Sequence, residues 1–167
     1  MPALSALSPD HLEAVEFARK AYLDAGGDLS GDLERLSLPW LLRFLINSTP
    51  DKAADRIHAM LKWRQANNVD LIAEKIVALG GNFEGFPHHG SIDAHIPSQL
   101  IFGHTTAGSP FSLEKWGQVQ PKAFLEDVSP SKWNEFNIYK YEFMRLYLDA
   151  LSTKTGRLHK WVWPLSA

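Results

Sequence analysis

The sequence predicts a mixed α and β protein of 167 residues, with an N-terminal helical unit over 1–81, a linker over 82–97 and an α/β domain over 98–167. Three observations predict it. Hydroxyl-then-proline start signals at Ser8-Pro9, Ser37-Leu38-Pro39 and Thr49-Pro50 each precede apolar residues at helical spacing. Residues 82–97 are rich in Gly, Pro, His and Ser and follow neither a helical nor a strand period. Beyond them come two short apolar runs, a long helical stripe and a last apolar run, and the order strand, strand, helix, strand implies an α/β domain.

The first helix is expected from Ser8 to Gly26-Gly27, with Leu12, Val15, Ala18 and Tyr22 on its buried face. The second opens at Ser37-Leu38-Pro39 and carries Trp40, Leu41, Phe44 and Leu45. The third opens at Thr49-Pro50-Asp51, aligns Ala53, Ile57, Leu61 and Arg64 with Met60 and Trp63 beside them, and ends at Asn67-Asn68. A short fourth helix around 71–79 closes at Gly80-Gly81, where glycine can take the left-handed conformation. Strands at Leu100-Ile101-Phe102-Gly103 and at 111–116 are joined through 105–110 as a hairpin that puts Phe111 and Leu113 on one face. Ser129-Pro130 starts the longest helix, with Phe136, Tyr139, Phe143, Leu146, Tyr147, Ala150 and Leu151 as its stripe and Gly156 as its stop. The run 158–165 reads as a buried strand.

Composition narrows the function. The net charge of -2 comes from 17 basic and 19 acidic residues scattered along the chain, so no basic stripe offers itself to a nucleic acid. There is no cysteine, which excludes disulfides and thiolate metal sites and fits a reducing, cytoplasmic compartment. The N-terminus lacks the basic and apolar regions of a secretory signal. No apolar stretch approaches the ~20 residues needed to span a bilayer, so membrane contact is expected to be peripheral.

The segment Leu41-Leu42-Arg43-Phe44-Leu45, followed by a helix closing at Leu61-Lys62-Trp63-Arg64, resembles the N-terminal helical unit of the CRAL-TRIO family, which includes yeast-type phosphatidylinositol transfer proteins. Gly103, Gly108, Pro110, the strand from Phe111 and Gly117 keep the family's spacing, and Tyr139-Lys140-Tyr141-Glu142 with Lys154-Thr155-Gly156-Arg157 continue the likeness. The resemblance covers about 38–163. It implies the first half of an α/β lipid-binding domain, whose sheet forms the floor under one lipid or lipophilic molecule. Its implied activity is non-catalytic binding and transfer between membranes. Its implied partners are a phospholipid or other lipophilic ligand and, transiently, a membrane surface.

Three departures modify that expectation. Basic residues that follow the Leu-Leu-Arg-Phe-Leu segment in the family, one of which helps to hold a phosphoinositide head group in some members, are replaced here by Ile46-Asn47-Ser48-Thr49. Trp161, Val162 and Trp163 stand where phosphatidylcholine-binding members offer small hydroxyl residues, which favours a more apolar ligand or none. The family's domain continues well beyond the last residues Pro164-Leu165-Ser166-Ala167, so the chain is expected to be a C-terminally truncated form.

The candidate pocket wall is Phe111 and Leu113 on the strand, Tyr139 and Phe143 on the helix, and Trp161 and Trp163 on the last run; Glu114 and Glu142 read first as solvated carboxylates and otherwise as its polar anchor. Each aromatic taken singly reads first as core packing; only the group points to a ligand. Arg43 and Arg64 read as structural, paired with Glu34, Asp51 or Asp55 or stacked over Trp40 or Trp63. His88, His89, Asp93, His95 and His104 offer metal-ligand chemistry, but at no ligand-pair spacing, and read as a polar loop. No nucleophile elbow, phosphate loop or dinucleotide fingerprint is present, so neither catalysis nor a cofactor is expected. The alternative is a truncated helical interaction module that lacks lipid transfer and self-associates through an exposed sheet edge.

Overall fold

The computed structural model describes residues 9–24, 37–46 and 48–163. Among them are helices α1 (Pro9–Asp24), α2 (Leu38–Leu45), α3 (Pro50–Ala66), α4 (Val69–Ala78), α5 (His89–Asp93), α6 (Pro121–Asp127) and α7 (Pro130–Thr155), and strands β1 (Ser98–His104) and β2 (Pro110–Glu114). The protein is therefore of mixed helix and strand. It forms two compact units that divide after Asn68, with Asp149–Leu158 returning to the first.

In the first unit, α1, α2 and α3 pack on one another around Val15, Trp40, Leu41, Leu42, Ile57 and Leu158, with Met60, Leu61 and Phe44 against them. The start signals act as expected at α2 and α3, where Ser37 and Thr49 occupy the capping positions ahead of prolines. Neither side chain makes a capping hydrogen bond; the carbonyls of Ser37 and Thr49 accept from Leu41 at 3.0 Å and Ala53 at 2.9 Å. Asn67 ends α3 by donating its amide to the Trp63 carbonyl at 2.8 Å. On α1 Val15 is buried as expected, but Leu12 is 49% exposed. Gly26, Gly27 and the side chains of Ala18 and Tyr22 lie outside the described residues.

Arg43 is paired with Asp149, with Ser152 Oγ 3.4 Å from its guanidinium, and not with Asp51 or Asp55. Sequence neighbours were poor guides because the unit recruits the end of α7. Glu34 lies outside the described residues. Arg64 is buried with its guanidinium carbon 5.7 Å from the centre of the Trp40 ring.

In the second unit, α4 stops where Gly80 and Gly81 take φ of 61° and 73°, and the Gly81 N–H donates to the Ile76 carbonyl at 3.1 Å. The stretch 82–97, expected as a linker, is a turn of 3-10 helix at Phe83–Gly85 followed by α5, and it buries Phe86, Ile92 and Ile96. Elements this short leave no period in a sequence. β1 and β2 pair antiparallel, from Ser98 opposite Glu114 to His104 opposite Pro110, with a register irregularity between Gln99 and Gly103. The hairpin loop closes through Thr105 N–H to the Ser109 carbonyl at 2.8 Å, with Gly108 at φ 80°.

Three expectations are corrected. β2 ends at Glu114, and Trp116 begins a 3-10 turn instead of closing the strand. In α7, Phe136, Tyr139 and Phe143 are buried as predicted, but Ala150 is exposed. The run 158–165 is no continuous strand among the described residues. Leu158 is taken up in the first core, and only Val162 pairs with β2, as a parallel bridge to Phe111. Its N–H donates to Pro110 at 3.0 Å and its carbonyl accepts from Ser112 at 3.2 Å. A helix that the sequence reading missed, α6, follows; its seven residues are too few to show a stripe, and Leu125 on it is 69% exposed.

Candidate functional site

All seven candidate wall residues fall in the second unit. Along β2 the side chains alternate, with Pro110 and Ser112 buried and Phe111 and Leu113 half-buried on the other face. Ser112 is fixed from two sides: its hydroxyl donates to the Leu100 carbonyl at 2.7 Å and accepts from the Trp161 indole N–H. On the opposite face the Phe111 ring lies over Gly103, where a Cβ would meet ring carbons at 3.1 Å. Its centroid is 5.5 Å from that of Phe102, a ring that is 52% exposed. Gly103 thus allows a close approach that leaves an apolar face of Phe102, Phe111 and Leu113 only partly covered.

The helix residues sit elsewhere. Tyr139 and Phe143 are buried, their ring centres 5.6 and 5.9 Å from that of Phe86. Phe143 stacks on Tyr147 at 6.1 Å, and Tyr147 meets Trp161 edge-on at 5.9 Å. Glu142 is buried and grips Arg145 through both carboxylate oxygens, at 2.7 to 3.1 Å. That pairing engages its carboxylate within α7. The structure therefore brings Tyr139, Phe143 and Trp161 into one aromatic core and sets Phe111 and Leu113 on a separate face.

Trp163 belongs to a third place. The Lys140 ammonium, on a side chain only 4% exposed, is 3.0 Å from Glu114 Oε1. It lies 5.3 Å from the ring centres of Tyr141 and Trp163 and 5.7 Å from that of Trp133. The other Glu114 oxygen accepts from the Trp116 indole at 2.8 Å. A cleft of about 550 Å3 opens beside this group, lined also by Asn134 and Asn137. Sequence reasoning named Glu114 and Trp163 and missed Lys140, Trp133 and Trp116. A signal existed, since Trp133, Lys140 and Tyr141 are seven and eight residues apart and so share one side of a helix.

A smaller cleft of about 360 Å3 lies among the turn after α4, α5, β1 and α7, lined by Phe83, Glu84, His89, Asp93, Leu100 and Phe143. The histidines of this region are dispersed among different contacts. His88 meets Glu135 at 3.0 Å, His95 meets Asp127 at 2.9 Å, His104 meets the Tyr147 hydroxyl at 3.0 Å, and His89 packs edge-on against Phe83. Among the described residues no group of three or more His, Asp or Glu is placed to hold a metal ion.

Compared with known families and with curated proteins, the chain matches no family model and no curated sequence. No described helix is long and apolar enough to cross a membrane.

Proposed function

We propose that this chain binds a lipid or small lipophilic molecule and carries it between membranes without catalysis, in the manner of the CRAL-TRIO family that its sequence resembles. One observation carries the reading: the partly covered apolar face of the hairpin formed by Phe102, Phe111 and Leu113. A sheet with one face in a core and an apolar opposite face is a floor on which an acyl or isoprenoid chain can lie. Each methylene taken out of water there contributes about 0.8 kcal/mol. The order β1, β2, α6, α7 and the isolated parallel bridge at Val162 supports the reading only in outline, with two strands, then helix, then a return of the chain to β2. On this reading the protein works in the cytoplasm and touches membranes peripherally.

Native mass spectrometry of the chain after incubation with mixed-lipid vesicles tests it. A lipid-sized adduct is expected on the native chain and is expected to be lost in Phe111→Ser. A bare monomer from both proteins overturns the reading. A bare dimer that dissociates in Phe111→Ser favours the interaction module, with the same face covered by a second copy.

A further inference from the structure

We propose that the group formed by Glu114, Trp133, Tyr141 and Trp163 is a seat for a quaternary ammonium ion, with Lys140 as its built-in competitor. Three aromatic rings with centres 5.3 to 5.7 Å from one positive nitrogen, and a carboxylate 3.0 Å from it, form a cation cage. A lysine ammonium carries three N–H donors; here one is taken by Glu114, three ring centres lie 5.3 to 5.7 Å from the nitrogen, and Lys140 also lines the cleft. Burying N–H groups against rings forfeits hydration that a trimethylammonium, having no N–H, never needed. The cage is complementary to the charge of Lys140 more than to its hydrogen bonds.

The cleft of about 550 Å3 beside the cage supplies a way in and room for what a trimethylammonium group is attached to. Trp116, 51% exposed, and Tyr141, 57% exposed, stand at its open side. The lysine stem has four rotatable carbons, so the ammonium can leave the cage towards water without a backbone change. Tethering makes Lys140 a competitor at an effective concentration in the millimolar range. The native chain therefore binds such cations weakly, and removal of the ammonium tightens binding. The inference stands apart from the lipid reading, since it uses none of Phe102, Phe111 or Leu113.

The test is a tryptophan-fluorescence titration with tetramethylammonium chloride and with choline chloride, against sodium chloride at equal ionic strength. The native chain should give a weak saturable response that Trp163→Ala removes, and Lys140→Ala should respond at about ten-fold lower concentration or less. Phosphatidylcholine vesicles, with phosphatidylglycerol vesicles as control, separate the sources. A response to vesicles alone assigns the seat to a lipid head group, and a response to the free ions assigns it to a small soluble cation. If Lys140→Ala does not fold by circular dichroism, Lys140→Gln, whose uncharged amide can still donate to Glu114 and which keeps the whole seat, takes its place. No saturable response beyond that of sodium from the native chain and the folded variant overturns the proposal.

Discussion

The two units bury different chemistry. Among the described residues the first closes around aliphatic side chains, Val15, Leu41, Leu42, Ile57 and Leu158, together with the ring of Trp40. The second mixes the rings of Phe86, Phe136, Tyr139 and Phe143 with Ile76, Ile92, Leu100, Val128 and Met144, and more rings, Phe83, Phe124, Trp133, Tyr147 and Trp161, pack against it. Branched aliphatic side chains interlock and leave little space. Flat rings meet edge-on or tilted, as Phe83 does with Phe86 and Trp116 with Trp133, and present faces and edges outward at the margin of the core. The two clefts described above and the partly covered sheet face lie in the second unit.

If the first core is the closed one, the largest loss should come from opening it. Leu41→Ala, at a side chain with no exposure, should cost about 2–5 kcal/mol in urea unfolding; a loss under about 1 kcal/mol would mean that the site collapses around the deletion. In the second unit the caged pair should come next. Lys140→Met leaves the 10%-exposed Glu114 side chain without its partner and should cost about 1–3 kcal/mol, with part of the loss recovered by adding Glu114→Gln. A double variant no more stable than the single one would show that the rings, not the ion pair, hold Lys140.

Smaller effects test the hairpin. Gly108→Ala puts a Cβ on a residue at φ 80°, 3.4 Å from the His159 ring, and should cost about 1 kcal/mol with a matching fall in the thermal midpoint. Phe102→Ser should change stability by no more than about 0.5 kcal/mol, because the ring is half exposed, while reducing any lipid adduct seen by native mass spectrometry. A large stability loss there would place Phe102 in the core and remove the partly covered face from the second unit.

Long periodic elements were legible in the sequence. The start signals at Ser37 and Thr49, the stops at Asn67, Gly80 and Gly156, and the α7 stripe through Phe136, Tyr139 and Phe143 all appear where capping and spacing place them. Short elements were not. α6 and the turns within 82–97 each span about two helical turns or fewer, too little chain for a period to show. Of the candidate wall, the pairing of Phe111 with Leu113 on one face followed from strand alternation alone. That Glu142 would be engaged by Arg145, and Trp161 by Ser112, did not, although Glu142 and Arg145 are three residues apart on one helix.

By itself the sequence determined the long helices, the hairpin, the charge balance and the stock of aromatic residues, because these depend on propensity and spacing within a few turns of chain. Tertiary structure decided which charges meet and which rings face a cleft. Arg43 reaches Asp149 across more than a hundred residues, and Lys140 reaches Glu114 across 26. Such pairs form because a buried charge must find an opposite one wherever packing brings it. The same packing, by leaving Trp116, Tyr141 and Trp163 at the margin of an aromatic core, turned residues suited to ordinary burial into the walls of a cation cage and its cleft.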